Sequence, residues 1–163
     1  MASRRTWNKA WLGLFGWVLV AFLPATTAVF VETGAWYASL NRPAWTPPSW
    51  VFGPVWAILY LLMGVAAWRV WMKRGFGDRA ARLALALFLV HLVFNAAWTL
   101  LFFGAHLLTA AAVEIVSLWL MIVALVALFW RIDRVAGYLL IPYLLWVSYA
   151  VTLSVGFAVM NPG

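Results

Sequence analysis

The sequence predicts an all-α integral membrane protein, a bundle of five transmembrane helices with a long ordered loop between the first two. Three observations carry that expectation. Of 163 residues, 67% are hydrophobic and only 9% are charged, against about 25% charged in a soluble domain. So little charge cannot coat a water-facing surface. The apolar residues gather into five runs, each near the roughly 20 residues that a helix needs to cross the hydrocarbon core. The basic residues collect in alternate connections between those runs. The length suits one domain, 1–163.

The spans run over about 11–31, 48–71, 83–103, 107–130 and 135–159. All are too long and too continuously apolar for barrel strands, which need about 9–11 alternating residues. The first has a rival reading. Arg4, Arg5 and Lys9, an apolar run and then Thr26, Thr27 and Ala28 also resemble a secretory signal peptide. Apolar character resumes at Val29, Phe30 and Val31, which favours a span with Pro24 as a kink.

The formal net charge is +7, but it points to membrane orientation and not to nucleic acid. Arg4, Arg5 and Lys9 precede the first span. Lys73, Arg74, Arg79 and Arg82 lie between the second and third, and Arg131 and Arg134 between the fourth and fifth. The opposite connections hold only Arg42. The positive-inside bias therefore puts the N-terminus in the cytoplasm and the C-terminus on the far side. Arg69 can snorkel to the basic surface from the end of the second span.

The connection from Glu32 to Pro47 is the longest, and it holds Trp36, Tyr37 and Trp45. Aromatics there suit the headgroup level, but a long loop at a bundle mouth is also a lid candidate. Thr46 followed by Pro47 and Pro48 reads as a capped helix start. Within the spans, Pro54 and Pro142 each remove a helical donor, and freed carbonyls at that depth must face protein or a cavity.

Polar residues inside a membrane need a reason. His91, Asn95 and Trp98 fall at i, i+4 and i+7 and share one helix face. Interhelical hydrogen bonding accounts for His91 and Asn95 as well as a binding role does. Glu114 needs a basic partner or a tryptophan N–H, or it is protonated. On the second span Gly53, Trp56, Tyr60 and Gly64 recur at helical spacing. On the fifth, Pro142, Trp146, Tyr149 or Ala150, and Leu153 do the same. From spacing alone packing is the preferred reading of both stripes. Thirteen tryptophans exceed what two interfacial belts need, and that tilts the balance toward a pocket for a planar apolar ligand. Ala80 and Ala84 offer a small-xxx-small contact for a second copy.

Enzyme and metal signatures are missing. The acids Glu32, Asp78, Glu114 and Asp133 lie on separate segments. His91 and His106 are not at metal-ligand spacing, cysteine is absent, and there is no Gly-rich phosphate loop.

Four blocks resemble the TspO/MBR family of tryptophan-rich sensory proteins, translocator proteins and peripheral benzodiazepine receptors. They are the stretch from Trp36 to Trp56, then Phe94-Asn95-Ala-Ala-Trp98 with Phe102-Phe103-Gly104, then Glu114-Ile115, and Pro142-Tyr143-Leu-Leu-Trp146. The resemblance implies a five-helix bundle, commonly a homodimer, that binds porphyrins, sterols and benzodiazepine-type ligands beneath the first loop. Carried over by position, it implies a pocket of Trp36, Tyr37, Pro47, Trp56, Asn95, Trp98, Trp146, Ala150 and Leu153, with Tyr60 and His91 on its wall. No cofactor is required; porphyrin or haem enters as ligand. The family more often has an amide at the position of His91, and hydrogen bonding is preferred there over axial ligation of haem iron. The family's Leu-Asn becomes Leu153-Ser154, and no basic residue follows Arg134, so a sterol motif is missing. Porphyrin therefore ranks above sterol. The implied function is a receptor or transporter for tetrapyrroles, with a sensory or regulatory role, in a prokaryotic membrane. The alternatives are a light-dependent porphyrin-degrading enzyme acting through Trp56 and Trp146, a sterol or lipid translocator, and a dimerising scaffold.

Overall fold

The computed structural model describes the backbone of residues 2–31 and 34–162, and the side chains from Lys9 onward within them. Glu32, at the start of the long connection, and the side chains of Arg4 and Arg5 lie outside the described residues. There is no strand among the described residues. Five helical stretches are long and apolar enough to cross a bilayer: Lys9–Phe30, Ser49–Arg74, Arg79–Gly104, Leu108–Ile132 and Arg134–Met160.

Helix α1 (Ala2–Phe22) does not run uniformly to its end. It tightens into a 3-10 helix over Leu23–Phe30, with Pro24 in the first positions. Proline supplies no N–H to the α-helical ladder. Thr26 and Thr27 then donate their hydroxyls to the carbonyls three residues back, Leu23 and Pro24, both at 2.7 Å. The kink expected at Pro24 is thus a change of helix type over eight residues.

The connection carries a short helix, α2 (Ala35–Ser39). Thr46 does not cap the next helix. Its N–H and hydroxyl both donate to the Pro43 carbonyl, at 2.9 and 2.8 Å, and close a turn. Pro48 is extended, with ψ 140°, so helical backbone begins only with the 3-10 turn Ser49–Val51 and α3 (Phe52–Arg74). Pro54 consequently falls in the first turn of α3 and interrupts nothing, because donors there have no intrahelical partner.

Helix α4 (Arg79–Thr99) is capped by Asp78, which accepts from the Ala81 N–H at 2.8 Å. It ends in a π-helical turn, Leu100–Gly104. Helix α5 (Leu108–Ile132) turns into α6 (Arg134–Met160) through a single residue, Asp133, which caps α6 by accepting from Ala136 at 3.0 Å. Pro142 does lie inside α6.

In lipid, helices associate through close packing more than through the hydrophobic effect. Small residues supply that closeness here. Ala66, Ala67, Ala81 and Ala84 are fully buried. A Cβ on Gly64 would lie 2.6 Å from the Val18 Cα, so α1 and α3 touch backbone to backbone. The Trp68 indole N–H donates to the Ala10 carbonyl at 3.0 Å and ties the same pair. Because Ala84 is used up inside its own bundle, the Ala80–Ala84 pair offers no free face to a second copy. Larger side chains fill the centre: Met63, Phe88, Phe129 and Tyr143 are all fully buried.

At the basic end Arg69 does more than snorkel. Its guanidinium meets both Asp133 carboxylate oxygens, Nη2 to Oδ2 at 3.0 Å, and the Lys73 ammonium lies 3.7 Å from the same group. One acid therefore ties the end of α3 to the α5–α6 turn.

Candidate functional site

At the end opposite the basic connections the bundle opens into a cavity of about 600 Å³. That volume is within the range of small-molecule sites. Its walls are the 3-10 segment after α1, the connection around α2, the first turns of α3 and the end of α4.

The tight helix after α1 shapes one wall. Side chains three residues apart eclipse in a 3-10 helix. Pro24 and Thr27 form one straight row on the cavity, Ala25 and Ala28 form another, and Val31, extended just past the helix, also lines it. None of them is a large side chain. Facing it are rings. Trp56 stacks on Tyr60, with centroids 5.4 Å apart and planes at 30°, and Phe22 leans on Tyr60 at 5.4 Å. Trp98 and Phe103 meet edge to face at 5.9 Å on the third side. The Trp98 N–H donates to the Ser154 hydroxyl at 3.1 Å, which fixes that ring.

The connection forms the cover, and it is fastened to α6. The Asn41 N–H donates to the Asn161 side-chain oxygen and the Asn161 amide donates back to the Asn41 carbonyl, each at 2.9 Å. Tyr149 donates its hydroxyl to the Trp45 carbonyl at 2.5 Å. A Cβ on Gly156 would come within 2.6 Å of Pro43 Cγ, so glycine lets the loop lie flat on the helix. Trp36 stacks face to face on His106, at 3.8 Å and 10°, and His106 holds a left-handed backbone, φ 59°, to present its ring.

Of the residues expected at a ligand site, Tyr37, Trp56, Tyr60 and Trp98 meet on this cavity. The others lie elsewhere. Asn95 is sealed behind Tyr60, accepting from its hydroxyl at 2.8 Å and donating to the Tyr143 hydroxyl at 3.1 Å. His91 is deeper still and fully buried. Its Nδ1 pairs with the Phe88 carbonyl, its ring lies 5.8 Å from Tyr143, and its Nε2 has no partner among the described residues. Trp146 packs edge-on against Phe52 at 5.8 Å, off the cavity lining. Ala150 and Leu153 are buried in the packed interior. Trp36 holds the loop down, and Pro47 sits half-buried in the extended approach to α3. Glu114 meets neither of the partners expected of it: both carboxyl oxygens are buried without a hydrogen bond among the described residues.

Sequence reasoning missed the 3-10 wall, Phe52 and Phe103, and above all Arg42. Among the described residues Arg42 is the one cationic side chain lining the cavity, and no acid among them lines it. Its Nη2 donates to the Tyr37 carbonyl at 3.0 Å while its guanidinium carbon stands 4.6 Å over the Tyr37 ring. Partial burial pushes the Tyr37 phenol above its ordinary value, and the Arg42 charge opposes that only in part. The one signal was charge placement: Arg42 is the lone basic residue on its side.

Known proteins resemble this arrangement over nearly its whole length. A model of the TspO/MBR family matches residues 12–160, from the first span to the last. Protein CrtK of Rhodobacter capsulatus is 40% identical over 146 residues, covering 90% of either chain. The tryptophan-rich sensory protein of Cereibacter sphaeroides is 37% identical over 147 residues, with 90% coverage of both. The translocator protein of Sus scrofa is 34% identical over 147 residues, 88% of this chain and 87% of that one. The chain is therefore an integral, multi-pass membrane protein and belongs to the TspO/MBR family.

Proposed function

We propose that this protein is a membrane receptor or carrier for tetrapyrroles, porphyrins and haem precursors above all, with a sensory or regulatory role. The observation that carries the reading is the cavity itself. It offers about 600 Å³ between a wall of small side chains and the rings of Trp56, Tyr60 and Trp98. A slot of that shape favours a broad, thin, apolar ring system. The tied-down loop over it favours retention at the headgroup level. Sterol stands below porphyrin in this reading, because a puckered ring system gains less from stacking on aromatic faces. We further propose that the N-terminus is cytoplasmic, that the cavity faces the other side of a prokaryotic membrane, and that the protein works as a homodimer.

Titration of protoporphyrin into the protein in nanodiscs, followed by the shift of its main absorption band, tests the site. Trp56→Ala combined with Trp98→Ala should weaken binding by about tenfold or more, the loss of two stacking faces. Trp146→Ala should stay within about twofold, because that ring is off the cavity wall. Wild-type affinity in the double variant would remove the porphyrin from this cavity.

A further inference from the structure

The cavity lining is mostly apolar, and among the described residues it carries one charged side chain, the exposed Arg42. We propose that Arg42 is a carboxylate anchor, so that the preferred ligand is a planar apolar acid and not a neutral ring system. This rests on the tetrapyrrole reading above and narrows it to the ring systems that carry acid side chains.

Three observations support the anchor. Arg42 lines the cavity, yet it is solvent-exposed. A ring system could therefore fill the slot while an acid at its edge stayed level with water and the guanidinium. The guanidinium is held before any ligand arrives: Nη2 binds the Tyr37 carbonyl and the group rests over the Tyr37 ring. Little side-chain freedom is then left to lose on binding. Only one of five N–H donors is used in that contact, which leaves a fork that can take a carboxylate in two bonds.

Protoporphyrin and its dimethyl ester share a macrocycle and differ in their two acids, so the pair isolates the contact. Binding of both is measured in nanodiscs, with empty nanodiscs subtracted. The wild-type protein should hold the acid about five- to tenfold more tightly than the ester, a modest ratio because the pair is partly in water. Arg42→Gln should weaken the acid about five- to tenfold more than it weakens the ester, so that the two then bind alike. Arg42→Lys should recover part of the preference. Equal wild-type affinity for acid and ester would overturn the anchor while leaving the porphyrin site standing. Equal losses for both ligands in Arg42→Gln would also overturn it, because they would mean that Arg42 only holds the loop. Binding of neither ligand by the wild-type protein would sink the tetrapyrrole reading, and the anchor with it.

Discussion

A buried side chain in a membrane bundle is worth most when removing it strands its partners. Asn95 sits between the hydroxyls of Tyr60 and Tyr143. Tyr60→Phe strands one buried group, the Asn95 side-chain oxygen, at about 1–3 kcal/mol. Asn95→Leu leaves two buried hydroxyls unpaired, and each such loss costs about 1–3 kcal/mol. The expected order of melting temperatures in detergent is therefore wild type, then Tyr60→Phe, then Asn95→Leu well below both. Equal melting of the two variants would show that water or relaxation replaces the amide. The sequence did reveal Asn95 as a polar residue in need of partners. It could not reveal which ones, since Tyr60 and Tyr143 come from other helices. Nor did the shared face of His91, Asn95 and Trp98 make one site. Seven residues of helix rise about 10 Å. That distance separates a sealed core at His91 from an open cavity at Trp98.

At the level of elements, Asp133 is the most demanding single residue. It forms the whole α5–α6 connection, caps α6, and binds Arg69 and Lys73. Burial pulls its carboxyl upward. The hydrogen bonds from Arg69 and the Ala136 N–H, with the charges of Arg69 and Lys73, outweigh that and hold it below its ordinary value. A depressed folded value has a definite sign. The stabilisation is complete above the carboxyl's unfolded value near pH 4, and it fades as pH falls through the folded value. Asp133→Asn should thus lower the melting temperature at neutral pH, and the gap to wild type should close in strong acid. A gap that persists unchanged there would assign the loss to the cap geometry and not to charge. The elements also show where sequence patterns mislead. Thr46 and Pro54 have the composition of a cap and a kink. The extended Pro48 moves the helix start past Thr46 and puts Pro54 in a first turn.

The whole molecule was the most legible scale. Five apolar runs gave five spans, because hydrocarbon thickness fixes helix length whatever the packing. The alternation of charge supports a cytoplasmic N-terminus, and a cysteine-free chain makes that simple to check. A single cysteine at Gly77 should react with an impermeant maleimide only in inside-out vesicles, and one at Ala105 only in right-side-out vesicles. The reverse pattern would invert the topology. The cavity was half legible. Its rings stand out by their number, but the wall opposite them does not, because a 3-10 segment carries no period of about 3.6 residues.

That wall is built on a period of three, and the period sets which kinds of change it can survive. Within the stretch Leu23–Phe30, swapping one small side chain for another leaves both rows in place. Inserting or deleting a single residue turns everything beyond it by about 120°. An insertion after Pro24, for example, would put Thr26, which is exposed and off the cavity lining, in the place of Thr27. Only a change of three residues restores the rows, at a cost in length of about 6 Å. In evolutionary terms this segment is free in spelling and locked in reading frame. Its length, more than its composition, should separate chains that keep this slot from chains that have lost it.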